Sequence, residues 1–309
     1  LQGAALQGAT FRGTDLAHAT MSEADLTGAL IEGARLDGVS WLHATLSGAR
    51  FGASSLRGAT FAGARFTGVS FAGLDLEGAS FESAELSGAS FQGARLVHTN
   101  LSHCRLVGAD FTGALFDATQ LDGSDLSGAL LFQADLRSST LSYCTLSGAD
   151  LRGVKIKKQT LPGLDLRAAK LEGASITKSF LDHLRAAAVD FRGCTLSDCT
   201  FENADLAGAI LTGVRASHAS FLHADLRGAQ LNAMLGEGAD FSEARLDGAD
   251  LREGQLPSAS FTGASLRDAR LDGADLERAR FERADLTGAS LEGARLTGAL
   301  FEGATGHSC

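Results

Sequence analysis

Residues 24–33 read Ala-Asp-Leu-Thr-Gly-Ala-Leu-Ile-Glu-Gly, which is two copies of a five-residue unit. The same register runs from Leu1 to the C-terminus without an insertion or deletion. Leu, Phe, Ile, Met or Trp occupies 58 of the 62 central positions, a small residue lies two positions earlier, and Gly follows two positions later in 34 of the 62 units. Such regularity predicts one structural unit repeated along the whole chain.

A five-residue period fits neither a helix nor a continuous strand. A helix turns about 100° per residue, so every fifth side chain would lie about 140° further around the axis. In a strand, successive fifth residues would point to opposite faces. The chain must therefore turn once per repeat, with the small and the large residue facing inward and Gly at the corner.

Phenylalanine indicates how many repeats close one coil, because it recurs every twenty residues in two stretches. The recurring residues are Phe51, Phe71, Phe91 and Phe111, with Phe11 and Phe191 in the same row, and then Phe201, Phe221, Phe241, Phe261, Phe281 and Phe301. Opposite charges also recur at this spacing: Arg105 with Asp125, Arg185 with Asp205, Asp225 with Arg245, Asp250 with Arg270, and Asp275 with Arg295. Such pairs favour neighbouring strands, so we expect four repeats per coil.

Tandem units of the form Ala-[Asp/Ser/Thr/Arg]-[Leu/Phe]-x-Gly are similar to the pentapeptide-repeat family. The resemblance implies an all-β fold, a right-handed quadrilateral parallel β-helix, with the central Leu or Phe and the preceding small residue packed inside. It covers residues 1–309 as a single domain of about 15 coils, each touching only its neighbours. Neither end contains a cap, so we expect either missing flanking sequence, which we favour, or end-to-end stacking on other chains.

Two segments interrupt the pattern, residues 153–190 and 234–236. Large residues stand at small positions (Leu164, Leu184 and Val189), Pro162 follows a central Leu, and Ala186 occupies a central site. We expect Leu184 to fill the volume that Ala186 vacates, so that the coil is distorted but not opened, and we read Met234 beside Gly236 in the same way. A closed, packed solenoid of this kind is expected to have no cleft.

Composition narrows the classes of function. The formal charge of −10 disfavours a surface built to neutralise nucleic-acid phosphates, so we expect no direct nucleic-acid binding. No run approaches the roughly 18 apolar residues of a membrane span. No nucleotide-binding, hydrolase or zinc-enzyme motif occurs, so we expect neither an enzyme nor a cofactor or metal.

The cysteines and histidines repeat at fixed positions. All five cysteines (Cys104, Cys144, Cys194, Cys199 and Cys309) hold the small inner position, so we expect small buried side chains. Free thiols in this number fit a reducing cytoplasm, with a secreted effector as the alternative location. Seven of the eight histidines share the corner position, where we expect outward-facing surface residues.

Two groups of outward positions are candidates for a partner surface. The apolar group is Leu115, Leu130 and Phe132, which either forms a partner or dimer surface or consists of scattered surface hydrophobes. The basic group is Lys155, Lys157, Lys158, Lys170 and Lys178, all five lysines of the chain. It either docks an acidic partner or is a solvated face, because Asp165, Glu172, Asp182 and Asp190 dilute its charge.

Two functional hypotheses follow. The first is a non-enzymatic, rod-shaped scaffold that presents its outward residues to a protein partner, as in the tail domain of a bacterial secretion-related or effector protein. The second comes from the resemblance, since some members of the family are dimeric DNA mimics that bind DNA gyrase or topoisomerase IV and protect it from quinolones or toxins. The acidic charge agrees with the second hypothesis, whereas the interleaved Arg residues and the missing C-terminal dimerisation helix oppose it.

Overall fold

The computed structural model describes residues 1–306, and the chain divides into two compact units, Leu1–Leu151 (unit 1) and Arg152–Cys309 (unit 2). Each unit is a right-handed quadrilateral β-helix in which the chain returns to the same side every twenty residues. Residues 1–306 contain no helix that could span a membrane. Cys309 lies outside the described residues, so its predicted burial stays a prediction.

The strands are very short, as a period of five requires. Unit 1 contains β1 (Thr10–Arg12), β2 (Leu30–Glu32) and β3 (Arg50–Gly52), and unit 2 contains β4 (Lys155–Lys157) and β5 (Ser175–Thr177). β1 pairs with β2, β2 with β3, and β4 with β5, all parallel and all offset by twenty residues. Elsewhere, single parallel bridges join one residue to the residue twenty positions later. This offset is the one predicted from the Phe and charge spacing.

We label the four sides of a coil by their inner residues. Side a carries residues 1, 21, 41 and so on, side b residues 6, 26 and 46, side c residues 11, 31 and 51, and side d residues 16, 36 and 56. On most sides, the outward residue that precedes the inner residue forms the bridge to the next coil.

The unit around Leu26 shows how one repeat is built. The amide of Leu26 donates to the Thr45 carbonyl at 2.7 Å in the next coil, and the amide of Asp25 donates to the Ala4 carbonyl at 3.0 Å in the previous one. The amide of Ala29 closes a tight turn on the Leu26 carbonyl at 2.9 Å, with Gly28 at φ +67°. Positive φ at this turn position is the geometry that favours glycine.

Many corners nevertheless carry other residues. In the described chain, 34 Gly and 26 other residues at the corner position share φ values between 48° and 75°. The seven corner histidines predicted to face outward are all exposed. The imidazoles of His18, His43, His103 and His218 each lie over the Gly of the next coil. Those glycines therefore supply space as well as backbone freedom.

The inner columns form the core, and the predicted Phe columns are present. Phe201 to Phe301 stack along side a of unit 2 at 4.9–5.1 Å between ring centroids. In unit 1, Phe51 to Phe111 stack along side c at 4.9–5.6 Å. Burial of these side chains is the main source of stability, at about 1.5–3 kcal/mol each.

Many polar residues at the small inner position are satisfied by one recurring hydrogen bond, although Thr14 Oγ1 and Ser139 Oγ are buried without a partner. Thr119 Oγ1 donates to the Leu96 carbonyl at 2.6 Å, and Cys144 Sγ donates to the Leu121 carbonyl at 2.9 Å, each 23 residues earlier in sequence. Thr99 makes the same contact with Leu76. Ser, Thr and Cys can replace Ala here because the hydroxyl or thiol finds a carbonyl of the neighbouring coil.

At Ala186 and Gly236, neighbouring side chains fill the volume that the small inner residue leaves, as expected from the sequence. Leu184 and Ala186 are both fully buried, and the bridges from Asp165 to Arg185 and from Arg185 to Asp205 are intact. Near Gly236, an added Cβ would lie 2.8 Å from Leu256 Cδ2 and 3.8 Å from Met234 Cε. The Met234 and Leu256 side chains therefore occupy the volume that a larger residue at 236 would need.

Three bridges of the regular ladder are not formed within the two units. They would join Ser55 to Asp75 and Leu115 to Asp135 on side d of unit 1, and Lys170 to Asp190 on side c of unit 2. Each lies beside an enlarged inner residue, respectively Leu74, Phe116, and Val189 with Phe191. An oversized residue in a close-packed interior pushes neighbouring coils apart.

Candidate functional site

The apolar candidates lie on two neighbouring sides of unit 1. Leu130 and Phe132 flank the buried Leu131 on side c and are 41% and 40% exposed, while Leu115 on side d is 54% exposed. Leu130 bridges Asp110, so its backbone is in the regular ladder. Leu130 and Phe132 occupy the two outward positions on either side of an inner residue. On the same side of later coils, these positions hold an Asp and an Arg, as at Asp190 and Arg192.

Leu115 stands at one of the interrupted bridges. The next residue, Phe116, points inward and lies between Leu96 and Leu136 in its inner column. The centroid of the Phe116 ring lies 5.6 Å from that of Phe111, with an angle of 47° between the ring planes. The Leu115 carbonyl still accepts from the Leu96 amide at 2.9 Å. Leu115 is therefore bonded to the coil before it and not bridged to Asp135 in the coil after it.

Val97, which the sequence places near this group, is only 7% exposed. Elsewhere, a residue at the position of Val97 hydrogen-bonds the side chain 18 residues later, as Arg57 does with Asp75 at 2.7 Å. The equivalent partner of Val97 is Leu115. Val107 lies on side b and does not belong to this group.

The five lysines are all exposed and lie on two sides of unit 2. Lys155, Lys157 and Lys158 follow one another along side d and its corner, and Lys178 occupies the same corner one coil later. Within the described chain, only Lys178 forms an ion pair, with Asp198 at 3.9 Å. We call these four residues the lysine ridge; Lys170 is separate from it, on side c.

Lys170 lines a depression, which corrects the expectation of a surface without a cleft. The cavity has a volume of about 650 Å³ and lies at the missing bridge between Lys170 and Asp190. Its lining residues are Arg152, Ala169, Lys170, Leu171, Glu172, Asp190, Arg192 and Gly193. At this depression, only Val189 was noted from the sequence as too large for its small inner position. The depression lies on the same side as Phe191, which follows the smaller Leu171 in the inner column.

Many acidic side chains are paired with arginine. In five Asp-x-Arg pairs, the guanidinium Nη2 lies 2.6 Å from the carboxylate two residues earlier: Asp135/Arg137, Asp165/Arg167, Asp190/Arg192, Asp225/Arg227 and Asp250/Arg252. The hydrogen bond from Arg is the main reason why the pKa of Asp165, Asp190, Asp225 and Asp250 is lowered. In residues 1–306, these pairs interrupt the negative rows on sides b, c and d.

The charge pairs predicted between coils are adjacent in the ladder, and some also form ion pairs. Arg245 lies 3.5 Å from Asp225, and Arg295 lies 3.5 Å from Asp275. Arg105 bridges Asp125 through its backbone, but its guanidinium turns to Glu85 at 3.8 Å. The register was therefore predictable, whereas the choice of side-chain partner was not.

The thiols are structural. Cys104, Cys144, Cys194 and Cys199 are free and buried, as predicted. Burial raises the pKa of Cys104, Cys144 and Cys194 to about 12 and that of Cys199 to about 11. Thiols in this environment are poor nucleophiles. No group of His, Cys, Asp and Glu in residues 1–306 has the arrangement of a metal site.

Three further exposed hydrophobic residues were not among the surface candidates predicted from the sequence. Tyr143 is 76% exposed at a corner with φ +60°, and Leu42 and Leu300 are 36% and 52% exposed. All three occupy outward positions of the repeat, so the register alone identifies them. They are dispersed over different coils and sides.

Four five-residue sides per coil, with an inner Leu or Phe on nearly every side, define the class of quadrilateral β-helix solenoids. The family model "Pentapeptide repeats" matches residues 1–38, 44–82, 165–203, 187–221, 199–233, 224–263 and 264–303, and "Pentapeptide repeat region" matches 64–141. The chain therefore belongs to the pentapeptide-repeat family.

Several solved structures are similar to this chain. HetL, a pentapeptide repeat protein involved in heterocyst differentiation regulation from the cyanobacterium Nostoc, is 27% identical over 97% of this chain and 90% of its own, with a TM-score of 0.32. A pentapeptide repeat protein from the Arabidopsis thaliana thylakoid lumen is 32% identical over 32% of this chain and 66% of its own, with a TM-score of 0.26. QnrB1, a plasmid-mediated fluoroquinolone resistance protein, is 25% identical over 65% of this chain and 91% of its own, with a TM-score of 0.31. Comparison with curated proteins gave no match.

Proposed function

We propose that this chain is a non-enzymatic protein-interaction domain that binds its partner through Leu115, Leu130 and Phe132 in unit 1. The observation that carries the proposal is the side-by-side exposure of Leu130 and Phe132 in an outward row where charged and hydroxyl side chains predominate. Large apolar groups in water mark contact sites when they are grouped and rimmed by polar residues. Asp110 before Leu130 and Asp117 after Leu115 supply part of such a rim.

The chemistry of the remaining surface supports a binding role over a catalytic one. The thiols are buried, the corner histidines are exposed on the surface, and many carboxylates are held by Arg. A nucleophile, a base and a site between them are what a catalytic constellation requires. Outward residues on a packed core suit recognition instead.

The second candidate, mimicry of DNA toward a type II topoisomerase, finds support in the net charge of −10. A DNA mimic would present successive unpaired carboxylates at a regular spacing. The five Asp-x-Arg pairs neutralise such rows, so we favour the apolar surface.

The proposal is tested by replacing the apolar pair. We expect Leu130→Asp or Phe132→Asp to weaken binding of a purified partner about tenfold or more, because large apolar residues at the centre of an interface dominate affinity. Partners would first be identified by cross-linking and mass spectrometry, and affinities then measured by calorimetry. Phe180→Asp is the matched control, since Phe180 is 53% exposed and also precedes an inner residue, but belongs to unit 2.

Other outcomes distinguish the alternatives. Sedimentation that changes with protein concentration, and is abolished by Leu130→Asp, would identify the partner as a second copy of the chain. Inhibition or quinolone protection in a gyrase supercoiling assay, unaffected by Leu130→Asp, would support the DNA mimic. If neither the apolar variants nor the control alters binding of a partner, the proposed surface is wrong.

A further inference from the structure

The lysine ridge is a group of like charges that is unfavourable for the fold itself. Lys158 and Lys178 occupy the same corner in successive coils, with φ +57° and +53°, at a position that Gly holds in most repeats. Each therefore bears the cost of a left-handed backbone. Successive coils lie about 4.8 Å apart, so the two corner lysines also repel each other. Lys155 and Lys157 add two further positive charges on the same side.

The rest of the chain does little to neutralise this ridge. In residues 1–306, its only ion pair joins Lys178 to Asp198 at 3.9 Å, and both side chains are about half exposed. An exposed pair at this distance contributes little. An arginine on the neighbouring side behaves differently, since Arg192 is held by Asp190 at 2.6 Å. The unmatched positive charge of the ridge therefore lies on its lysines.

An exposed aromatic ring stands beside the ridge. Phe180 lies on side a, two residues after Lys178, and is 53% exposed. Its amide donates to the Gln159 carbonyl at 2.9 Å, and its carbonyl accepts from the Leu161 amide at 2.7 Å. The strand of Phe180 is thus paired with the segment that directly follows Lys158. The backbone therefore holds the ring and the two corner lysines on the same two coils.

The surface around this group has no groove between the coils. β4 pairs with β5 along its whole length on side d, and Thr160 bridges Phe180 on side a. Besides Asp198, Asp182 is the carboxylate of sides d and a in these two coils. Asp182 already accepts hydrogen bonds from the Thr200 hydroxyl at 2.6 Å and the Glu202 amide at 3.1 Å. A closed face with flexible cations suits a broad, flat partner.

The surface of a bilayer that contains anionic lipids has this chemistry. A planar array of lipid phosphates and carboxylates attracts clustered lysines, and each lysine near the surface strengthens binding about fivefold. Long lysine side chains keep their ammonium groups at the level of the headgroups. An aromatic ring beside them enters the boundary between headgroups and acyl chains.

Nucleic acid fits this surface less well than a bilayer does. Base stacking along a single strand uses a series of aromatic rings. In its row, Phe180 lies between Thr160 and Thr200, so it offers one ring and no series. The lysine ridge also spans only two coils, about 5 Å, which is shorter than a backbone track of several nucleotides.

We propose that the lysine ridge and Phe180 form a docking surface for membranes that contain anionic lipids. The four ammonium groups contact the headgroups, and the Phe180 ring enters the acyl boundary. This contact goes beyond the proposed protein-interaction function, because it uses unit 2 and does not involve Leu130 or Phe132.

The direct test is flotation of the whole chain with lipid vesicles. We expect binding to phosphatidylcholine vesicles that contain about 30% phosphatidylserine, and loss of that binding as added salt screens the charges. Vesicles of phosphatidylcholine alone should not bind. Inorganic phosphate, compared with chloride at equal ionic strength, should not displace the protein from the anionic vesicles.

A charge reversal locates the surface. Lys158→Glu should weaken binding about 25-fold, because one attractive charge is lost and one repulsive charge is gained. The variant should fold, since glutamate already occupies corners with positive φ at Glu243 and Glu253. Lys170→Glu is the matched control, because it makes the same change at an exposed lysine of side c. We expect it to weaken binding no more than about threefold, through longer-range attraction alone.

Two changes at position 180 test the ring without changing the charge. Phe180→Thr, which continues the row of Thr160 and Thr200, should weaken binding about fivefold. The fluorescence of Phe180→Trp should shift to shorter wavelength with anionic vesicles, because the indole leaves water. Ile210→Trp is the control, since Ile210 also precedes an inner residue of unit 2 but lies on side c, and its spectrum should not change.

The proposal is overturned if the chain does not float with anionic vesicles at low salt, or if Lys158→Glu and Lys170→Glu weaken binding equally. An unchanged spectrum of Phe180→Trp on bound vesicles would also overturn it. Displacement by inorganic phosphate, or tighter binding to a single-stranded oligonucleotide than to vesicles, would show that the ridge recognises a soluble anion instead. Leu130→Asp should leave vesicle binding unchanged, so failure here and failure of the proposed function are separate results.

Discussion

The two units use the same repeat to build two different cores. Unit 1 contains two aromatic columns, Trp41, Phe61 and Phe81 on side a and Phe51 to Phe111 on side c, joined by edge contacts such as Phe71 to Phe81 at 5.3 Å and 77°. Unit 2 contains one long column, Phe201 to Phe301, whose rings are tilted by only 3–6° from one another. Leucines such as Leu211, Leu231 and Leu251 occupy its side c.

This difference shows what regularity in the solenoid depends on. Where each column keeps one residue type from coil to coil, rings stack at a constant spacing and every bridge of the ladder forms. A bridge is lost where Phe116 is enlarged beside Phe111, whereas Phe66, which is enlarged beside Phe61 and Phe71, keeps both of its bridges. A single change of size is tolerated, since Leu181 is followed by Phe201 while Phe180 still bridges Thr200. Each missing bridge thus accompanies an enlarged inner residue, but enlargement alone does not open the ladder.

Removing one ring from each core should give the largest effect. Phe71 contacts five aromatic rings at 5.2–6.4 Å, whereas Phe241 contacts only Phe221 and Phe261. We expect Phe71→Ala to cost about 5 kcal/mol of unfolding free energy and Phe241→Ala about 3 kcal/mol. Urea denaturation followed by circular dichroism measures both. Equal losses would mean that the aromatic edge contacts of unit 1 add nothing to simple burial.

A second, smaller difference concerns the corners. At Gly58, with φ +63°, an added Cβ would meet nothing within 4 Å, whereas at Gly63, with φ +66°, it would collide with the His43 imidazole. Gly58→Ala should therefore cost about 1 kcal/mol for the left-handed backbone alone. Gly63→Ala should cost about 0.5–1.5 kcal/mol more, because His43 must leave its rotamer.

The double variant separates these contributions. Combining His43→Ala with Gly63→Ala should reduce the cost to that of Gly58→Ala, with His43→Ala alone as the reference. Thermal unfolding of the four variants closes the cycle. An undiminished cost in the double variant would exclude the imidazole as its cause.

A third change tests whether enlarged inner residues open the ladder. Phe116→Leu restores an all-leucine stretch from Leu96 to Leu136, so the Phe116 position should gain its ladder bond and its amide should exchange more slowly. The net change in stability should stay within about 1 kcal/mol, since a hydrogen bond of that size replaces lost aromatic burial. Phe111→Leu is the control, because its ladder through Asp110 is already intact. Unchanged exchange at position 116 would contradict the volume argument.

The sequence predicted the coil, its twenty-residue period, the inner columns and the adjacency of Arg and Asp rows, because each follows from one side chain at one register position. The three missing bridges were not predictable in the same way, because they depend on how two inner residues of neighbouring coils share volume. Val189 was visible as an oversized residue, yet the cavity formed where Phe191 also stands over Leu171. Lys170 and Leu115 were predicted as surface candidates from their charge and hydrophobicity. The missing backbone bridge beside each of them is visible only in the structure.

The smallest expected effect separates the two units by pH. Four Asp residues of unit 2 (Asp165, Asp190, Asp225 and Asp250) have a pKa lowered chiefly by the neighbouring Arg, and hydrogen bonds from Thr287 and Arg267 lower the pKa of Asp285 to about 2. Because the folded pKa lies below the unfolded one, this stabilisation is complete above about pH 4 and is lost as the pH falls toward the folded values. Unit 1 has fewer such pairs, so acid should weaken the hydrogen-exchange protection of unit 2 more than that of unit 1. Asp225→Asn together with Asp250→Asn should reduce this pH dependence in unit 2. If acid instead lowers the hydrogen-exchange protection of both units equally, general charge repulsion, and not the Asp-x-Arg pairs, controls the acid response.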